Sequence, residues 1–104
     1  MNGVIDRIKT ISQRLKTEYK AERIILFGSY AKGNATEDSD IDILIIAPTT
    51  ERFFERMATT LRIVRDLYGG LPLSPIVLRP DELEERKRKG DQFVGEILKE
   101  GIEL

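Results

Sequence analysis

The chain contains no cysteine, no histidine and no tryptophan. Without cysteine there can be no disulfide, no thiolate zinc site and no thiol nucleophile. Without histidine, imidazole acid–base chemistry and Ser-His-Asp triads are excluded within this chain. Catalysis, if there is any, falls to carboxylates, hydroxyls, lysines and a metal they hold. Long apolar runs are missing too. No stretch approaches the ~18 residues that span a bilayer. The opening segment, Met1-Asn2-Gly3-Val4-Ile5-Asp6, has neither the basic start nor the apolar middle of a secretory leader. These absences predict a cytoplasmic protein without a membrane partner. A surplus of either charge is also lacking: Lys and Arg total 17, Asp and Glu 18, for a net charge of −1. Broad binding to a phosphate backbone needs a basic excess, so no direct DNA binding is expected.

What remains is an ordinary charged globular composition. At 104 residues the chain predicts one domain spanning 1–104. Such a domain buries roughly 65% of its unfolded surface, enough for one core without staples. No second domain carrying substrate specificity is expected.

Val4, Ile5, Ile8, Ile11, Leu15 and Tyr19 recur at helical spacing. Ile24 to Phe27 is a short apolar run ending at Gly28, as in a buried strand. Residues 28–39 read as a loop with one helical turn at its start. Ile41 to Ile46 is a β-branched strand stopped by Pro48. Residues 51–68 read as one long helix closed by Gly69-Gly70, with Phe53, Phe54, Met57, Leu61, Val64 and Leu67 on one face, the first four read as core. Leu73 to Leu78 reads as a third strand, and Pro75 places it at an edge or a strand start. Helices are expected over 80–89 and 91–99, with Gly90 between them, and an extended piece over 101–104. The basic run Arg86-Lys87-Arg88-Lys89 reads as a solvated helix end. Two strands joined through a long helix favour parallel pairing.

The stretch that carries chemistry runs from Leu26 to Asp42. Gly28 follows a strand and lets backbone N–H groups turn toward an anion. Ser29 adds a hydroxyl at the start of the turn, where a helix N-terminus favours phosphate. Lys32 supplies a cation, and Gly33 permits a second unusual dihedral. Alone, Gly28-Ser29 also spells a serine-capped turn. The spacing of Gly28 and Gly33 suits a P-loop, but Asn34-Ala35 stand where that motif needs Lys-Ser/Thr.

Asp40 and Asp42 lie two apart, on one face of a strand, ~6.5–7 Å from each other along it. A divalent cation bridges such a pair, whereas burying both uncompensated is costly. Alone, Ser39-Asp40 also spells a solvated strand end.

Joined, the halves are more specific. Gly28-Ser29, ten residues, then Asp40-Ile41-Asp42, each half at the end of an apolar strand, resembles the signature of the DNA polymerase beta-type nucleotidyltransferases. The stretches Phe27-Gly28-Ser29-Tyr30-Ala31-Lys32-Gly33 and Ser39-Asp40-Ile41-Asp42-Ile43 carry the match to the minimal, antitoxin-like members. The resemblance implies an α/β (α+β) nucleotidyltransferase fold, a small mixed sheet with helices mainly on one face. It implies nucleotide-binding residues Gly28, Ser29, Lys32 and Gly33. It implies Asp40 and Asp42 as catalytic and metal-binding residues, Mg²⁺ as cofactor and ATP as substrate. The implied reaction moves AMP to a hydroxyl, a tyrosine of a HEPN-type helical partner, in a toxin–antitoxin system. Active members carry a third carboxylate on the next strand; Ser74 falls at that place here. Glu37, Asp38 and Asp81 are the nearby acids that could fill the gap. Without it, the same fold could serve as a nucleotide-binding module that neutralises its partner by complex formation.

Overall fold

The computed structural model describes residues 2–104, so Met1, at the head of the segment read for a leader, lies outside them. The order is α1 (Asn2–Glu18), β1 (Arg23–Phe27), α2 (Ser29–Lys32), β2 (Ile41–Ile46), α3 (Phe53–Ile63), α4 (Arg65–Tyr68), β3 (Leu73–Leu78), α5 (Pro80–Arg88), α6 (Gln92–Glu100) and β4 (Ile102–Glu103). The four strands form one sheet in the order β3-β2-β1-β4. β1 is antiparallel to β2 and to β4, and β2 is parallel to β3. The sheet is therefore mixed. The parallel pair is the one bridged by helices, because a parallel connection must carry the chain back along the sheet. Pro75 sits on the edge strand β3, where a missing N–H costs no ladder bond on the outer side. No helix among the described residues is long and apolar enough to cross a membrane.

Period-two alternation splits the sheet into two apolar faces. Ile24, Leu26, Ile41, Ile43, Ile45 and Val77 pack with α1, through Ile8, Ile11 and Leu15, and with Val64 between α3 and α4. The opposite face, Ile25, Leu44, Ile46 and Leu78, packs on Leu83 of α5 and Val94 and Ile97 of α6. The first core is the larger. The second is built by the two C-terminal helices, and it is the face toward which Phe27 points.

Two expectations need correction. The helix expected over 51–68 is two helices, broken at Val64, whose backbone leaves the helical region (φ −109°). It also begins later: Arg52 is the cap, its N–H donating to Glu55 Oε1 at 2.9 Å. And Phe53, Phe54 and Met57 are not core. They are 45, 86 and 44% exposed, while Arg56 and Thr60 are buried and Leu61 is half-buried. Only the first part of that face, Phe53 to Met57, turns outward, where Arg56 turns in to pair with Glu82; Val64 further along is fully buried. The Arg86–Lys89 run is surface, its charges paired with Glu84, Glu85 and Asp91.

The turn between β2 and α3 is held by Glu51. Its carboxylate accepts from the hydroxyls of Thr59 and Tyr19, the latter at 2.8 Å. Burial first, then the bonded Glu51 carboxylate, pushes the Tyr19 phenol up to about 12. The Thr59 hydroxyl, with smaller help from Tyr19 and Thr49, holds Glu51 below the ordinary glutamate range. Because its folded value lies below the unfolded one, the stabilisation is present above the unfolded value and disappears as pH falls through the folded value. Glu51→Gln is thus expected to melt several degrees below the parent at pH 7. The gap should close under acid, as thermal scans between pH 3 and 7 would show.

Candidate functional site

The chain leaves β1 at Phe27 and turns at Gly28 into the single helical turn α2. Gly28 has φ 74° and ψ −153°, a region essentially reserved for glycine. The reason for the turn is visible across the ladder. Phe27 pairs with Asp42, so the bend sits directly beside that acid. A Cβ added at Gly28 would collide with Asp42 Oδ2. Gly28 O then accepts from the N–H groups of Ala31 and Lys32, both at 3.1 Å, closing the turn. Gly33 ends it in the left-handed conformation (φ 78°), its N–H donating to Ser29 O. Ser29 is half-buried at the first position of α2, and its hydroxyl has no hydrogen-bond partner among the described residues. Lys32 is exposed at the last position. Tyr30 packs against the larger core.

Asp40 and Asp42 enter from the other side. A local turn, with Thr36 N donating to Ser39 Oγ at 2.8 Å and Ser39 N to Thr36 O at 3.1 Å, sets the loop that precedes Asp40. Ile41 N donates to Pro72 O at 2.7 Å and anchors the start of β2. Asp40 is exposed just before the strand; Asp42 is half-buried within it. Burial, and second the charge of Asp40, push the Asp42 carboxyl above its ordinary range. Its oxygens accept no hydrogen bond among the described residues. Asp42 is therefore a partly desolvated acid beside another acid, with no ion-pair partner among the described residues.

The third position is settled by register. Asp42 pairs with Ser74 across β2 and β3, so the neighbour on that face is a hydroxyl. Glu37 and Asp38 are exposed in the loop, and Asp81 is paired with Arg79. Among the described residues, no three acids gather into a group able to hold a metal. Two acids alone still suit Mg²⁺, which commonly takes one or two carboxylates and completes its shell with water and substrate phosphates. They do not suit a site that needs three protein ligands.

Reading the sequence does not reveal what closes the other side of the bend. A cleft of about 190 Å³ opens there, between α2 and α6, lined by Gly28 and Lys32 and by Phe93, Glu96 and Glu100. Phe93 meets Phe27 edge-to-face at 5.7 Å between ring centroids. The helical period of α6 marks which of its residues are buried, but nothing in the period says that its flank meets Gly28.

The bend itself can be probed. Gly28→Ala should cost about 1–3 kcal/mol in backbone strain alone. It should also displace Asp42, so thermal scans should show the variant melting below the parent.

The chain matches the family described as the nucleotidyltransferase domain over residues 8–104. It is 38% identical over 96 residues to a candidate protein adenylyltransferase of Methanocaldococcus jannaschii, covering 90% of each chain. A second such protein of that organism is 30% identical over 104 residues, covering 97% of this chain and 98% of the relative. The crystal structure of a candidate nucleotidyltransferase from Sulfolobus solfataricus shares the fold, with a TM-score of 0.56 at 24% identity over 82% of this chain and 80% of that one.

Proposed function

The chain belongs to the nucleotidyltransferase domain family, and from that membership we propose that it transfers AMP from ATP to a hydroxyl of a partner protein. The observation that carries this reading is the contact of the Gly28 bend with Asp42. It places a turn suited to polyphosphate against a carboxylate with no ion-pair partner among the described residues. The names of its relatives as candidate protein adenylyltransferases support the choice of ATP and of a protein acceptor.

In this reading Gly28 and Ser29 hold the triphosphate through backbone N–H groups and the free hydroxyl. Asp40 and Asp42 hold Mg²⁺, which when bound polarises the phosphoryl oxygens and neutralises the leaving group. The acceptor oxygen bonds to the α-phosphorus, the bond from that phosphorus to the bridging oxygen breaks, and pyrophosphate leaves. Ser74 does not take the acceptor's proton, because a hydroxyl is no base near neutral pH. The proton goes to solvent, which makes a slow enzyme. The acceptor we favour is a tyrosine of a HEPN-type helical protein, silenced by the modification, so that the pair acts as toxin and antitoxin in the cytoplasm.

Ser74 beside Asp42 favours a second reading, a module that neutralises the same partner by binding alone. Incubation with the partner, Mg²⁺ and α- or γ-labelled ATP separates the two. Label on the partner from the α position only supports transfer. A stable complex without label supports the module.

A further inference from the structure

The cleft between α2 and α6 lies against Gly28, yet the acids that define the site lie across β1 from it. Its lining is uneven. Phe27, Phe93 and Ile97 give it an apolar wall, and Phe93 is 46% exposed although an apolar partner is within reach. The Phe27–Phe93 contact, at an interplanar angle of 87°, holds that exposed ring in one orientation. Lys32, Glu96 and Glu100 also line the cleft. None of the three has an ion-pair or hydrogen-bond partner among the described residues, whereas Arg86, Lys87, Arg88 and Lys89 on the neighbouring helix end are all paired.

Two carboxylates against one ammonium make this cleft a poor seat for a polyphosphate. They suit a neutral group rich in N–H and O–H donors, since an ionised carboxylate only accepts. An aromatic base with its ribose is such a group, and it also has a flat face for an exposed phenyl ring.

We propose that the cleft receives the nucleoside end of the donor nucleotide. Phe93 stacks on the base, and Glu96 and Glu100 accept from base and ribose donors, while the phosphates lie on the Gly28 bend. The assignment rests on the nucleotidyltransferase reading above and adds to it the residues that select the nucleoside.

The test compares two ligands, Mg·ATP and Mg·tripolyphosphate, by calorimetry. Phe93→Ala is expected to weaken ATP about tenfold or more, the scale of one lost base–aromatic stack, and to leave tripolyphosphate unchanged. Glu96→Gln with Glu100→Gln should likewise weaken ATP alone. Because the chain has no tryptophan, Phe93→Trp supplies a single indole. Its fluorescence should respond to ATP and not to tripolyphosphate, and this variant keeps an aromatic ring should Phe93→Ala unfold. Unchanged ATP affinity in the Phe93 and Glu variants, with Gly28→Ala defective toward both ligands, overturns the cleft assignment and leaves the proposed function standing. Equal losses toward both ligands in Phe93→Ala also overturn it. A parent protein that binds neither ligand overturns both readings.

Discussion

Asp40→Asn combined with Asp42→Asn should reduce transfer by at least about 10³-fold, the scale of losing one electrostatic clamp on developing charge. The same variant should melt at a higher temperature than the parent when no metal is present. The second outcome follows from the sign of the linkage. Burial, and then the charge of Asp40, raise the Asp42 carboxyl in the folded state. The folded protein therefore binds that proton more tightly than the unfolded chain. Folding is favoured by this group at low pH, and the advantage is lost as pH rises through the folded value. At neutral pH the ionised carboxylate opposes folding, and asparagine removes the opposition. The stability gap should shrink as pH falls below the unfolded carboxylate value. Adding Mg²⁺ should reverse the order, because a ligand of the native state stabilises only the protein that binds it. Calorimetric scans at pH 7 with and without Mg²⁺, beside the labelled-ATP assay, measure both effects. A double variant that transfers at the parental rate would place the chemistry elsewhere.

Loss of Arg56 should be the largest single blow to stability. The residue is 3% exposed, and its guanidinium reaches the turn before α3, β3 and α5. Nε donates to Glu51 O at 2.9 Å, Nη1 to Val77 O at 3.1 Å, and Nη1 and Nη2 to the two Glu82 oxygens at 2.6 and 3.3 Å. Glu82 also accepts from Arg79 N at 2.7 Å, which caps α5. One side chain thus joins α3, the edge strand β3 and the start of α5. Arg56→Ala leaves a half-buried carboxylate and two carbonyls without partners. Removing one member of a buried pair costs about 3–5 kcal/mol, against a total of about 5–15 for a domain. For a chain of this size the melting temperature should fall by more than about 12 °C. Arg56→Met with Glu82→Leu should recover most of the loss, because replacing both partners removes the stranded charge. A drop under about 1 kcal/mol in urea titrations of Arg56→Ala would mean that the tie carries no weight. Since α5 leads into α6, a weakened tie should also loosen the cleft wall at Phe93.

Local patterns made most of the elements legible. Strong β-branched runs and bounding glycines and prolines located β2 and β3 to the residue, because those signals need no distant partner. The parallel pairing of β2 with β3 followed from the connection between them. The outward turn of Phe53, Phe54 and Met57 did not follow. Helical periodicity marks a face, but which face turns inward depends on what waits there, and Glu82 and Val77 O wait for Arg56. The break at Val64 was hidden for the same reason, since no glycine or proline announces it.

By itself the sequence determined the chemistry available: carboxylates without imidazole or thiol, and a Gly-Ser turn and an Asp-x-Asp pair each ending an apolar strand. These are properties of residue type and short spacing. Tertiary structure alone decided that Phe27 pairs with Asp42 and that α6 walls the cleft beside Gly28, while the strand register sets Ser74 beside that acid, where the resemblance had placed it. Each of these depends on strand register or on packing between distant segments; a one-residue slip of β2, for instance, would have turned Asp42 to the other face of the sheet.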